Sequence, residues 1–232
     1  MAGRAGLHAL LLPEVTGGVK MDKITAEQLP ALYECVAEVF AEKKDELCAM
    51  DANMGDGDLG LTMQKGYAAL PDLIREEMQE DVGKTLMKAG MRMASVVPST
   101  MGTLMASGIM EAGKALKGKN EMGPADLSAY FTAFAAGIQK RGKCSRGERT
   151  ILDAVGAAAD RASACLEATP DAGLAQVMDA AVSGAEAGVE ASRAMMPKYG
   201  KAAVFAAKAI GIPDQGATAG MYMLKGMARY IR

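Results

Sequence analysis

Apolar residues recur along most of this chain at intervals of three and four, the spacing that lines one face of an α-helix. The clearest run lies between Ile24 and Leu47, where Leu29, Leu32, Val36, Val39, Phe40 and Leu47 fall on one stripe. Thr25, followed three residues later by Gln28, has the capping-box spacing of a helix start. After a loop from Ala49 to Gly60, helical patterning resumes at Leu61 and passes through Met63 and Leu70. The same period predicts helices over Val82 to Val96, Thr103 to Leu116, Ala125 to Lys140, Glu148 to Leu166 and Ala172 to Met196, with a short piece near Ala202 to Ile210 and a last helix from Ala217 to Tyr230. Pro124 suits the first turn of its helix, and Thr169-Pro170-Asp171 separates two of the others. No stretch alternates with period two for long enough to require a sheet. The expected fold class is therefore all-α, a bundle of about eight amphipathic helices.

Residues 1–20 differ from the rest, with scattered Gly and Pro and no sustained apolar period. They are expected to be a loose extension, or the product of a start codon placed too early, ahead of a helical domain over 21–232. No long Ser/Pro/Gly linker interrupts that domain, which argues for one unit.

Composition agrees with helices packed through small residues. Half of the chain is hydrophobic, yet only four Phe, six Tyr and no Trp supply aromatic bulk, and the 19 Met are suited to filling irregular gaps in a core. A formal net charge of −2 argues against a broad basic surface for nucleic acid. Cys35, Cys48, Cys144 and Cys165 show no CxxC pairing and are expected to be reduced, unliganded thiols. The apolar stretch Ala9 to Leu12 is too short for a membrane span or a secretory segment, so a cytoplasmic location is expected.

Chemistry concentrates in Met50-Asp51-Ala52-Asn53-Met54-Gly55-Asp56-Gly57-Asp58-Leu59-Gly60. Three carboxylates held this close repel one another, and a cation bound by hard oxygens removes that cost. The interleaved glycines allow the tight turns needed to aim the carboxylates inward. Mg²⁺ takes few carboxylates and completes its shell with water and substrate phosphates, whereas an EF-hand Ca²⁺ loop needs a twelfth-position Glu that is missing here. A solvated Asx-type turn is the competing reading of an Asp-Gly loop.

At this loop the chain resembles the nucleotide-binding L subunit, or L domain, of the dihydroxyacetone kinase family, in which an Asp, four intervening residues and Asp-x-Asp-x-Gly follow the first long helix. Asp51, Asp56, Asp58 and Gly60 follow that pattern. Three further segments match in order: Ser95 to Gly108; Arg141-Gly142-Lys143 with Gly147 to Asp153; and Tyr199-Gly200-Lys201-Ala202 with Gly211 to Thr218. The resemblance spans Ile24 to Arg232. It implies an antiparallel barrel of eight amphipathic helices with an adenine nucleotide, ATP or ADP, at one end.

By position, the resemblance implies that Asp51, Asp56 and Asp58 are Mg²⁺ ligands. Leu59, Gly60, Leu61 and Thr62 match a nucleotide-contacting stretch at a helix start, and Ser99, Thr100, Met101 and Gly102 match the phosphate turn. Gly142, Ile151 and Lys201 match further nucleotide contacts, and Asp214, Gln215 and Gly216 match the loop that closes over adenosine. The chain departs from the family where His and Asn are common, at Leu59 and Thr62, in a phosphate turn with Met101 in place of Ser, and in Lys201 where Arg is usual. The family's substrate-holding His belongs to a separate K subunit or domain. Here the single His, His8, lies outside the matching region.

The function implied is that of the phosphoryl-donor subunit of a two-part kinase. It would act on dihydroxyacetone or a similar small ketose with a K-type subunit, with a phosphotransferase-system protein as a further possible partner. A nucleotide-sensing regulatory subunit and a kinase domain with another acceptor, such as a fatty acid, are the alternatives. Lys143, Arg146 and Arg149 are expected to form a solvated basic cluster.

Overall fold

The computed structural model describes residues 21–200, 203–204 and 206–232. The expectations for the extension over residues 1–20, for His8 and for Lys201 lie outside the described residues.

The predicted helices form in the predicted order: α1 (Leu29–Ala52), α2 (Leu59–Glu76), α3 (Val82–Val96), α4 (Thr100–Ala115), α5 (Pro124–Gly142), α6 (Ile151–Ala168), α7 (Leu174–Ser192), the short α8 (Ala206–Ala209) and α9 (Gln215–Ile231). Each long helix packs on the next along the chain from α1 to α7; α7 then packs on α9, and α9 returns to α1. That sequence of contacts closes a ring of eight helices, an up-and-down barrel in which neighbours run antiparallel.

Its interior holds the aromatic residues that the composition rationed. Tyr33, Tyr67, Tyr130, Phe40, Phe131 and Phe134 are among the largest fully buried side chains. The Tyr33 and Tyr130 hydroxyls share a hydrogen bond of 2.6 Å, which satisfies two phenols taken out of water. Close packing of α6 on α7 depends on glycine: a Cβ at Gly184 would stand 2.4 Å from the Ala157 carbonyl oxygen, and one at Gly188 would stand 2.3 Å from that of Asp153.

The differences from the sequence reading have local causes. Thr25 and Gln28 do form their cap, the Thr25 N–H donating to Gln28 Oε1 at 2.9 Å, but a turn of 3₁₀-helix (Ala26–Gln28) precedes α1. Ile24 and Thr25 also pair antiparallel with Met122 and Glu121, forming a two-residue ribbon of β1 (Ile24–Thr25) and β2 (Glu121–Met122), too short to leave a period-two signal. α2 continues through Pro71, which is buried in the ring. The segment expected to be helical from Glu148 starts at Ile151 because Thr150 caps it. The Thr150 Oγ1 accepts the Leu152 N–H at 3.2 Å while the Thr150 N–H donates to Asp153 Oδ2 at 2.7 Å.

Candidate functional site

Antiparallel alternation brings every second helix start to the same end of the barrel. The N-cap residues Asp58, Ser99, Thr150 and Asp214, with the first residues of α2, α4, α6 and α9, all line one cleft of about 500 Å³. The first N–H groups of a helix have no partner within it, and each helix start carries about half a positive charge, so the four together offer an anion about +2. Ser99, Thr150 and Asp214 cap their helices, accepting the N–H groups of Gly102, Leu152 and Ala217. Asp58 stands at the same position of α2, yet its carboxylate makes no capping bond.

Instead Asp58 joins Asp51, from the last turn of α1, and Asp56, from the loop. One carboxylate oxygen of each lies within 4.8 Å of the others. Asp51 organises this turn. Its Oδ2 accepts the N–H groups of Gly57 at 2.9 Å and Asp58 at 3.2 Å, and its Oδ1 accepts from Gln215 Nε2 at 3.3 Å. The acidic loop at the end of α1 is thereby tied to the start of α9. Gln215 Oε1 is buried and has no hydrogen-bond partner among the described residues, which leaves an acceptor beside the carboxylates. Three carboxylates with a spare amide oxygen form a hard-oxygen donor set that fits Mg²⁺. Charge points the same way: three carboxylates outweigh the four helix ends, so a polyphosphate approaches this cleft favourably only with a cation between.

Of the residues expected at the site, Asp51, Asp56, Asp58, Leu59, Thr62, Ser99, Thr100, Met101, Ile151, Asp214, Gln215 and Gly216 line the cleft. Leu61 lies in an adjoining recess with Lys65 and Pro98. Gly60, Gly102 and Gly142 are not in the lining, and their surroundings explain why glycine stands there. A Cβ at Gly60 would sit 2.0 Å from the Lys44 carbonyl oxygen, and one at Gly102 would sit 2.3 Å from that of Val97. At Gly142 a Cβ would crowd Cys144 Sγ and Leu104 Cδ2, both at 3.2 Å. These glycines let elements approach behind the site.

The cleft also includes Met54, Gly55, Leu104, Arg149, Thr150, Tyr199 and Gly200. Arg149 corrects the expectation of a solvated cluster, for its side chain is fully buried. Arg146 does remain exposed, paired with Asp160, and Lys143 is exposed at the left-handed end of α5. The Arg149 guanidinium donates to the carbonyl of Ala209 at 2.7 Å and lies 3.8 Å from Asp214 Oδ1. Burial pushes its pKa down from the usual guanidinium range, against the pull of Asp214. Burial raises Asp214 to about 6, opposed by the Ala217 N–H and by Arg149. The Thr150-x-x-Asp153 box could have marked the start of α6, whereas no local pattern distinguishes a buried arginine one residue before it.

Among the described residues no helix is long and apolar enough to cross a membrane. The sequence model of the DAK2 domain matches residues 53–229. The PEP-dependent dihydroxyacetone kinase, ADP-binding subunit DhaL, of Escherichia coli (strain K12) is 26% identical over 191 residues, which cover 82% of this chain and 90% of that subunit. The triokinase/FMN cyclase of Bos taurus is 28% identical over 211 residues, covering 89% of this chain but 35% of that protein. Among solved structures, the dihydroxyacetone kinase from C. freundii in complex with AMP-PNP and Mg²⁺ superposes with a TM-score of 0.66 at 23% identity, over 98% of this chain and 38% of that one, a likeness of fold. The chain belongs to the DAK2 domain family.

Proposed function

We propose that this chain is the Mg²⁺-nucleotide-binding, phosphoryl-donor subunit of a two-part kinase whose acceptor is dihydroxyacetone or a similar small ketose. The observation that carries this reading is the convergence of four helix N-termini on the cleft that also holds Asp51, Asp56 and Asp58. The E. coli relative, named as the ADP-binding subunit of a dihydroxyacetone kinase and matched over 90% of its length, supports both the nucleotide and the two-part arrangement.

Asp51, Asp56 and Asp58 would hold Mg²⁺, with Asp51 also fixing the loop through the N–H groups of Gly57 and Asp58. Mg²⁺, when bound, neutralises phosphate charge and orients the terminal phosphoryl group. The chain's own part is positioning. The first N–H groups of α4 and α6 open onto the cleft and would hold the phosphates, and the Ser99 hydroxyl, whose oxygen already accepts from Gly102, would offer its proton to an anion. Met101 leaves the phosphate turn to these groups, since a thioether offers no donor. Leu59 and Thr62 stand at the start of α2, and Asp214, Gln215 and Gly216 open α9 across the cleft. No nucleophile on this chain is needed, because the acceptor hydroxyl arrives with a K-type subunit.

Holding the acceptor in near-attack geometry can lower the barrier by about 7 to 11 kcal/mol. The test is to assay dihydroxyacetone phosphorylation by the chain alone and mixed with a K-type subunit. One series contains Mg²⁺ and ATP, and another contains ADP with a phosphotransferase protein and its phospho-donor. Turnover only in the presence of the K-type subunit is expected. Robust turnover by the purified chain alone contradicts the two-part reading.

A further inference from the structure

The cleft combines two chemistries: the carboxylates of the acidic loop, and the apolar side chains of Met101 and Leu104 of α4 and Ile151 of α6, with Tyr199 also in its lining. Met101 and Ile151 lie close together, and Leu104 stands by the end of α5. A Cβ at Gly216 would stand 3.3 Å from both Ile151 N and Met101 Cε, and one at Gly142 would stand 3.2 Å from Leu104 Cδ2. Tyr199 reaches the residue after Gly142, its hydroxyl donating to the Lys143 carbonyl at 2.9 Å.

Tyr199 is 43% exposed, so burial alone does not hold its ring. Two latches do. The hydroxyl is tied to Lys143, whose left-handed backbone (φ 50°) ends α5, and the preceding Lys198 pairs with Glu148 at 2.8 Å. With the phenol proton committed to Lys143, the ring itself is what Tyr199 offers a ligand in the cleft. A tethered aromatic ring in a cleft that Leu104 and Ile151 also line suits a flat, uncharged group joined to something anionic. Resting on the nucleotide reading above, we propose that Tyr199 forms the aromatic wall of the nucleobase subsite and stacks on the base of the bound nucleotide.

Stacking tolerates any base and acts only on ligands that carry one. Calorimetric titration of the full chain, its Tyr199→Ala variant and its Tyr199→Phe variant with ADP and with inorganic pyrophosphate, each with Mg²⁺, separates the base from the phosphates. The wild type should bind ADP more tightly than pyrophosphate. Tyr199→Ala should lose about tenfold in ADP affinity while holding pyrophosphate as the wild type does. Tyr199→Phe, which keeps the ring and loses the latch, should retain most of the ADP affinity. Unchanged ADP binding by Tyr199→Ala, or an equal loss for both ligands, overturns the proposal, the second result marking Tyr199 as a support of its loop or of a docking face. Wild-type protein that binds pyrophosphate as tightly as ADP has no base subsite, which overturns this inference and leaves the phosphate reading standing. Failure of the wild type to bind either ligand overturns the nucleotide reading, and this inference with it.

Discussion

Arg149 and Asp214 face each other 3.8 Å apart in the wall of the cleft, their side chains 0% and 6% exposed. The pair joins the start of α6 to the start of α9, and the same guanidinium holds the Ala209 carbonyl. Removing one partner of such a pair strands the other's charge in a poorly solvated place. Arg149→Met should therefore cost about 3 kcal/mol of stability, read from the denaturant midpoint. Combined with Asp214→Asn it should cost less than the two losses added. Additive losses, or a cost within the ordinary range of a surface change, would show that the pair is not coupled.

Asp214 also sets a pH dependence. Its carboxyl titrates near 6 in the folded chain, above its ordinary value of 3.8. The folded state thus holds a proton that the unfolded state has released between those values, and the extra stability is fully present below about 4. It is lost as pH rises through 6 and does not return above it. Relative to Asp214→Asn, whose amide oxygen can still cap Ala217, the wild type should become less stable between pH 4 and pH 6.5. A flat difference across that window contradicts the buried, proton-binding carboxyl.

The acidic loop and most of the helices were legible because their signals are local: a 3.6-residue period, Asp-Gly spacing and Pro124 at a first turn. Arg149 was not. Three basic residues within seven suggest a solvated cluster, and only tertiary packing against Ala209 and Asp214 buries one of them while Arg146 stays outside. The start of α6 was legible and misplaced, since Thr150 and Asp153 carry the same box that marked Thr25 and Gln28. Gly60, Gly102 and Gly142 carry a family motif, which records where glycine is needed without separating ligand contact from the close approach that packing imposes.

From the apolar pattern we propose a domain boundary at Met21. Ile24 is fully buried and pairs with Met122. A chain starting at Met21 should match the full chain in melting temperature, whereas one starting at Leu29 should melt lower. A large fall on removing residues 1–20 alone would mean that they dock on the domain.

Gly60 distinguishes packing from binding. Gly60→Ala would drive its Cβ into the Lys44 carbonyl and push α2 away from α1. A loss of stability of about 1 to 3 kcal/mol is expected, measured without any ligand. A variant as stable as the wild type that fails only in nucleotide binding would show that Gly60 serves the ligand rather than the packing of α2 on α1.

The most direct test of the central claim is calorimetric titration of ADP into the wild type and into Asp58→Asn, each with Mg²⁺ and again with a chelator. Asp58 is the choice because its carboxylate neither caps α2 nor orders the loop as Asp51 does. Mg²⁺ should strengthen ADP binding to the wild type, and Asp58→Asn, with helix content intact, should lose most of that strengthening. ADP affinity that is the same in both proteins, with and without Mg²⁺, would contradict a cation held by these carboxylates against the phosphates of a nucleotide.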